Sequence, residues 1–216
     1  EDIDITLLRA GDDNPLSFFL PRAVVSTNDS RIAVDATSQL PAELGRQLRL
    51  SATRVVTMPR PDRQWDLRLE IEDIDLAGWS ALQADTARQL RSGSGDLEVA
   101  IQYAQSGLRN ASADVALADV ALGDGEPFGV DGRFEFNLNT DGWLAAAEGL
   151  RLATAERTWP ESSLRVEAST DDDNQIVMVD VRASYVNLGD AALFAPWLAE
   201  EHRQRLTDID PSGVVT

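Results

Sequence analysis

Four places in the sequence carry residue types that could do chemistry. Asp171-Asp172-Asp173-Asn174 offers oxygen ligands at alternating positions, as calcium prefers. It lacks the glycine and the distal bidentate Glu of a calcium loop, and a polar hairpin tip explains it better. Glu70 and Glu72 would share one face of a strand, as a glycosidase carboxylate pair could. Arg68 beside them favours an ordinary wet strand face. Ser92-Gly93-Ser94-Gly95 has the look of a phosphate loop, but no Lys follows and no parallel βαβ unit surrounds it. It reads as a helix-to-strand link. The one histidine, His202, stands among Glu200, Glu201, Arg203 and Arg205 and reads as exposed on a helix. A single His excludes multi-His zinc sites, and the lack of Cys excludes disulfides, thiolate metal sites and Cys nucleophiles. With no nucleophile–base pair in view, the expectation is a protein that is not an enzyme, with no catalytic residue, metal or cofactor.

The elements around these residues are bounded by composition. The chain has 216 residues, enough for one domain or two small ones with a buried core. Its net charge of −18 argues against a nucleic-acid partner, because phosphate binding needs clustered cations. The acidic excess reads as a solvated outer face, or as repulsion from anionic membrane surfaces. No apolar stretch approaches the ~18 residues of a membrane span. Glu1-Asp2-Ile3-Asp4-Ile5 has no basic leader, and both ends read as cuts through a longer protein.

Alternation with period two dominates. Trp65, Leu67, Leu69 and Ile71 alternate with charged residues, as do Leu97–Tyr103, Phe134–Leu138 and Val177–Tyr185 with polar or small ones. Weaker strands are expected at Ile3–Leu7, Val24–Ser26, Arg31–Ala36, Leu48–Thr57, Ala113–Leu122, Leu150–Ala153 and Leu164–Ala168. Short turn signals between them predict antiparallel hairpins. Trp79–Arg91 and Asp190–Leu206 break the alternation and read as amphipathic helices, the second interrupted at Pro196. The fold class is therefore mostly β: an antiparallel, twisted and curved sheet with two or more amphipathic helices at its edge or mouth. Strand, corner, helix, glycine and new strand occur twice, which divides the chain into β-repeat modules 1–126 and 127–216 with a soft boundary near Glu126-Pro127. One continuous sheet is the alternative.

The order of several motifs is familiar. Gly93-Ser94-Gly95-Asp96-Leu97-Glu98-Val99 leads through Gly107–Leu117 to Asp119-Val120-Ala121-Leu122. Gly132-Arg133-Phe134-Glu135-Phe136, Asp141-Gly142-Trp143, Leu150-Arg151-Leu152 and Trp159–Val166 follow. Ala183–Asp190 with Ala195-Pro196-Trp197-Leu198 and Pro211-Ser212-Gly213 closes the series, and Pro15-Leu16-Ser17-Phe18 and Leu40–Gly45 fit upstream. This order resembles the repeat region of the YhdP family of AsmA-like proteins. The resemblance implies a Gram-negative envelope protein anchored in the inner membrane and extending through the periplasm. It also implies a long β-groove with an apolar inside and a part in moving phospholipid between the inner and outer membranes. The partners implied are phospholipid acyl chains and adjoining repeats of the same longer chain.

The alternating faces nominate groove-lining residues: Leu67, Leu69, Ile71, Leu97, Val99, Ile101, Val115, Leu117, Phe134, Phe136, Leu138, Val177, Val179 and Val181. The same residues could fill a closed sandwich or barrel core, and the helices could cover part of any groove. Trp79, Phe194 and Trp197 read as packing anchors. A structural or regulatory envelope module that carries no lipid is the alternative function, and a carbohydrate-binding sandwich is a third.

Overall fold

The structure is a computed structural model describing residues 3–7, 16–20, 22–28, 30–55, 64–82, 90–104, 107–139, 141–171, 175–197, 200–209 and 211–215. β1 (Ile3–Leu7) and β2 (Leu16–Leu20) form a separate antiparallel hairpin. Then follow β3 (Arg22–Asn28), β4 (Arg31–Gln39), β5 (Gln47–Val55) and β6 (Trp65–Asp75). The short helix α1 (Leu76–Ser80) leads to β7 (Leu90–Ala104) and β8 (Gly107–Leu122). β9 (Phe128–Asn139), β10 (Gly142–Ala153), β11 (Ser162–Thr170) and β12 (Ile176–Ala183) complete the run. After β13 (Val186–Asn187) come a 3-10 segment (Leu188–Trp197), α2 (Glu200–Ile209) and β14 (Val214–Val215), which pairs with β13.

β3 to β12 form one ten-stranded antiparallel sheet in unbroken sequence order, and its edge strands β3 and β12 do not meet. Each strand pairs antiparallel with the one before it, so the sheet is a meander. The turn at Gly123–Pro127 joins β8 to β9 within this sheet, with the Gly125 N–H donated to the Leu122 carbonyl at 2.9 Å. The chain's accessible surface is 13,980 Å², against about 9,800 Å² for a compact globule of its mass. A broad open sheet exposes more surface than a globule of equal mass.

Two expectations change. α1 covers only five residues, and Leu90 and Arg91 belong to β7; of the stretch expected as a helix at 79–91, residues 83–89 lie outside the described residues. The ladder overrides the helix-forming composition here: Leu90 pairs with Leu122, and its N–H is donated to Ser80 Oγ at 2.9 Å. Ser92–Gly95, expected as a link, lies inside β7. Gly95 permits this, because its backbone is at φ +150 and a Cβ there would collide with the Ala116 carbonyl on β8. The stretch expected at 190–206 as a helix interrupted at Pro196 is in two pieces, a 3-10 segment that contains Pro196 and the helix α2.

One margin of the sheet is built differently from the rest. The register shifts between Ile71 and Ile74 in β6, between Leu117 and Val120 in β8, and between Glu148 and Arg151 in β10. Left-handed residues mark these bulges: Asp73 at φ 50, Asp119 at φ 53 and Gly149 at φ 61. Bulges bend strands and raise their twist, and the core begins just beyond them. Val120, Leu122, Phe128, Leu152 and Trp159 are buried there, with Leu76 of α1 and Leu193 of the 3-10 segment packed against them. Asp75 caps α1 by accepting the Gly78 N–H at 3.1 Å, and Trp79 Nε1 donates to the Leu44 carbonyl at 2.7 Å. Asp190 is buried and accepts Trp159 Nε1 at 2.6 Å, which fastens the 3-10 segment to the same margin.

Candidate functional site

Strict pleat alternation and matched registers bring the apolar positions of all ten strands onto one face. One row crosses the sheet as Ala23, Ala36, Leu50, Leu69, Val99, Ala113, Phe134, Ala147, Leu164 and Ala183, each paired with the next. Two residues along each strand, a second row runs Val25, Val34, Ala52, Leu67, Ile101, Ala111, Phe136, Ala145, Val166 and Val181. Every member of both rows is Ala, Val, Ile, Leu or Phe. Leu48, Ile71, Leu97 and Val115 form a shorter third row toward the core margin. Leu138 pairs with Trp143 near the opposite margin, and Val179 joins that line through Ala168. Ten strands set nine spacings of about 4.8 Å, so the strip is about 43 Å long.

The sheet therefore places thirteen of the fourteen nominated residues in paired positions on this one face; Val177 of β12 has no ladder partner and is exposed. Leu117 pairs with Gly95 and Val130 beside the buried core, and Ile71 is itself buried. Most of the others are half-buried by their neighbours, and Leu138, Val179 and Val181 are exposed. The ten-stranded sheet is open, its edge strands β3 and β12 unpaired with each other. α1 touches β7 and the 3-10 segment touches β8 at the core margin, and β2 lies against β4 outside the ladder. The stacked pair Phe136 and Trp143, with centroids 6.2 Å apart, stands on the apolar face.

The opposite face is charged. Arg49, Glu70, Glu98, Asp114, Arg133 and Glu148 form a cross-strand row. Arg68 bridges Glu70 at 3.1 Å and Glu98 at 2.6 Å, and Arg133 bridges Glu135 at 3.1 Å and Asp114 at 3.3 Å. The hydrogen bond to Glu135 and the charge of Asp114 raise the Arg133 pKa above the usual arginine value. These pairs are exposed to solvent, which screens them, so they add little to stability. Two open hollows, of about 590 and 410 Å³, lie on this face between long charged side chains and small ones such as Ser51, Ala100 and Ser112. Charged side chains rim both: Asp66, Arg68, Arg133 and Glu135 the first, and Glu70, Glu72, Asp96, Glu98, Asp114 and Asp131 the second.

The other places with chemical residue types sit apart from the rows. Glu70 is held by Arg49 and Arg68, and Glu72 by Arg46 and Arg49. Asp171 closes the β11–β12 turn by accepting the Gln175 N–H at 2.9 Å, while Asp172–Asn174 lie outside the described residues. His202 lies on α2; its side chain, like those of Phe194 and Trp197, is outside the description. Among the described residues no group of three or more His, Asp or Glu could hold a metal ion.

A family model described as YhdP protein matches residues 1–216. The chain belongs to the YhdP family. No curated protein and no solved structure matches it. YhdP-family membership and the broad antiparallel sheet together fit an AsmA-like envelope protein. No helix among the described residues of this YhdP-family chain is long and apolar enough to cross a membrane.

Sequence reasoning passed over one residue of this face. Arg54 stands on β5 in the register of Leu48, Leu50 and Ala52, between Ile32 and Trp65. The signal available was the break in alternation at the last apolar-face position of the strand.

Proposed function

We propose that this chain is a section of a periplasmic, AsmA-like conduit whose apolar sheet face shelters phospholipid acyl chains between the inner and outer membranes. The whole protein is anchored in the inner membrane, and adjoining repeats of the same longer chain extend the strip. The modules 1–126 and 127–216 are successive lengths of it. The section performs no catalysis and takes no cofactor. The observation that carries this reading is the pair of apolar rows crossing all ten strands of one open sheet. A diacyl phospholipid exposes roughly 30 methylenes at about 0.8 kcal/mol each, so its free passage through water is opposed by on the order of 20 kcal/mol. A continuous apolar strip removes most of that cost at every point along the path. Leu67, Leu69, Val99, Ile101, Phe134 and Phe136 form the middle of the strip, and Val179 and Val181 its exposed end.

The test is native mass spectrometry of the chain purified without detergent, followed by titration with a fluorescent fatty acid. Co-isolated phospholipid and displacement by the probe are the expected results. A chain that carries no lipid and takes no probe refutes the conduit and leaves a structural or regulatory envelope module.

A further inference from the structure

Arg54 is the one charged side chain in the paired register of the apolar face among the described residues. Its guanidinium carbon lies 5.7 Å from the centre of the Trp65 ring, a cation–π arrangement. Its Nε is buried without a hydrogen-bond partner, and no ion pair holds it among the described residues. Four arginines of the other face differ from it: Arg46, Arg49, Arg68 and Arg133 all meet carboxylates, while Arg31 there donates to Thr53 Oγ1 at 3.0 Å. Arg54 is half-buried and its buried Nε–H lacks an acceptor, which an incoming anion would supply.

Its place along the strand adds to this. Arg54, Trp65 and Tyr103 are successive ladder partners on β5, β6 and β7, at the margin opposite the buried core. Two strand spacings put Tyr103, whose side is 49% exposed, about 10 Å from Arg54. The apolar rows begin two residues inward, at Ala52 and Leu67. A cation at the rim of a hydrocarbon strip has the layout of a phospholipid itself, with an anionic head beside two apolar tails. Arg54 is the one cation in the paired register of this face among the described residues, so it marks where on the face the head can rest.

We propose that Arg54 receives the phosphate of a phospholipid whose acyl chains lie on the apolar rows, with Trp65 supporting the guanidinium. The proposal rests on the conduit reading and adds the residue that orients the cargo. The planar fork of Arg suits two phosphate oxygens at once.

The test compares the parent chain with Arg54→Met and Arg54→Lys, each confirmed folded by thermal melting. Three probes are titrated: dioctanoyl phosphatidylglycerol, dioctanoylglycerol, which lacks the phosphate, and inorganic phosphate. The expected result is about tenfold weaker binding of the phosphatidylglycerol to Arg54→Met, with dioctanoylglycerol binding unchanged. Arg54→Lys, which keeps the charge and loses the fork, falls between. Equal binding of the phosphatidylglycerol by the parent and Arg54→Met overturns the proposal, as does an equal loss of both lipids. Competition by inorganic phosphate at the lipid's own concentration overturns the lipid as the source of the anion. A parent chain that binds neither lipid overturns the conduit itself, which keeps the two failures apart.

Discussion

Replacing Val99 with Asp puts one carboxylate in the middle of the strip. Val99 pairs with Leu69 and Ala113, and β7 has strands of the sheet on both sides, so a chain moving along the row must pass it. A hydrated carboxylate displaces contact with about four methylenes at about 0.8 kcal/mol each, which is about 3 kcal/mol or on the order of 100-fold in affinity. The cost to folding is smaller, because Val99 is half-buried on an uncovered face and strand propensities differ by at most about 1 kcal/mol. The control is the next residue. Ala100 points to the opposite face between Arg68 and Ser112, so Ala100→Asp places the same group, on the same strand, beside a cation. Titration with a fluorescent fatty acid, checked by native mass spectrometry, should find V99D about 100-fold weaker and A100D like its parent. Equal binding by the two variants, whether strong or weak, would refute the assignment of the lipid-bearing face, because pleat parity is the only thing that separates them.

Three further outcomes are expected. Asp190→Ala leaves the buried Trp159 indole N–H without its acceptor at 2.6 Å and should destabilise the fold by about 2–4 kcal/mol in urea titrations, with Asp190→Asn costing less because an acceptor remains. Gly95→Val forces a side chain against the Ala116 carbonyl at a backbone φ of +150; it should cost about 1–3 kcal/mol and speed hydrogen exchange across the β7–β8 ladder. Added sodium chloride should raise the melting temperature, because it screens the self-repulsion of a chain with net charge −18; a falling melting temperature would mean that the exposed ion pairs of the charged face outweigh that repulsion.

The strands were legible where each position is a simple choice between oil and water. Leu67, Leu69 and Ile71 alternate with Arg68 and Glu70, and β6 contains them all. β2 was not legible, because Phe18-Phe19-Leu20 is a continuous apolar run without period. Leu90 and Arg91 differ from the helix expected there because local helix-forming composition gives way to the ladder, where Leu90 pairs with Leu122, distant in sequence. The bulges were hidden for a similar reason. Asp73 holds a positive φ while donating its N–H to Asp96 Oδ1 at 3.0 Å, and only the folded sheet brings the two together. Arg54 was visible as a break in pattern. Its isolation on the face emerged only once the registers of ten strands were in place.

The placement of the core explains how such a face can stay uncovered. In a sandwich, the residues that stabilise the fold are the ones a second layer hides, so opening the face would cost the fold. Here the fully buried side chains Leu44 and Leu122, with Leu152, Phe128 and Trp159 close behind, gather at one margin under α1 and the 3-10 segment. The aligned bulges at Asp73, Asp119 and Gly149 let the strands make that core and the flat rows at once. The backbone ladder carries the rest, and its hydrogen bonds do not depend on what lies above the sheet. Folding and cargo thus draw on different side chains of the same strands. β8 holds both, with Ala111, Ala113 and Val115 in the open rows and Val120 and Leu122 in the core.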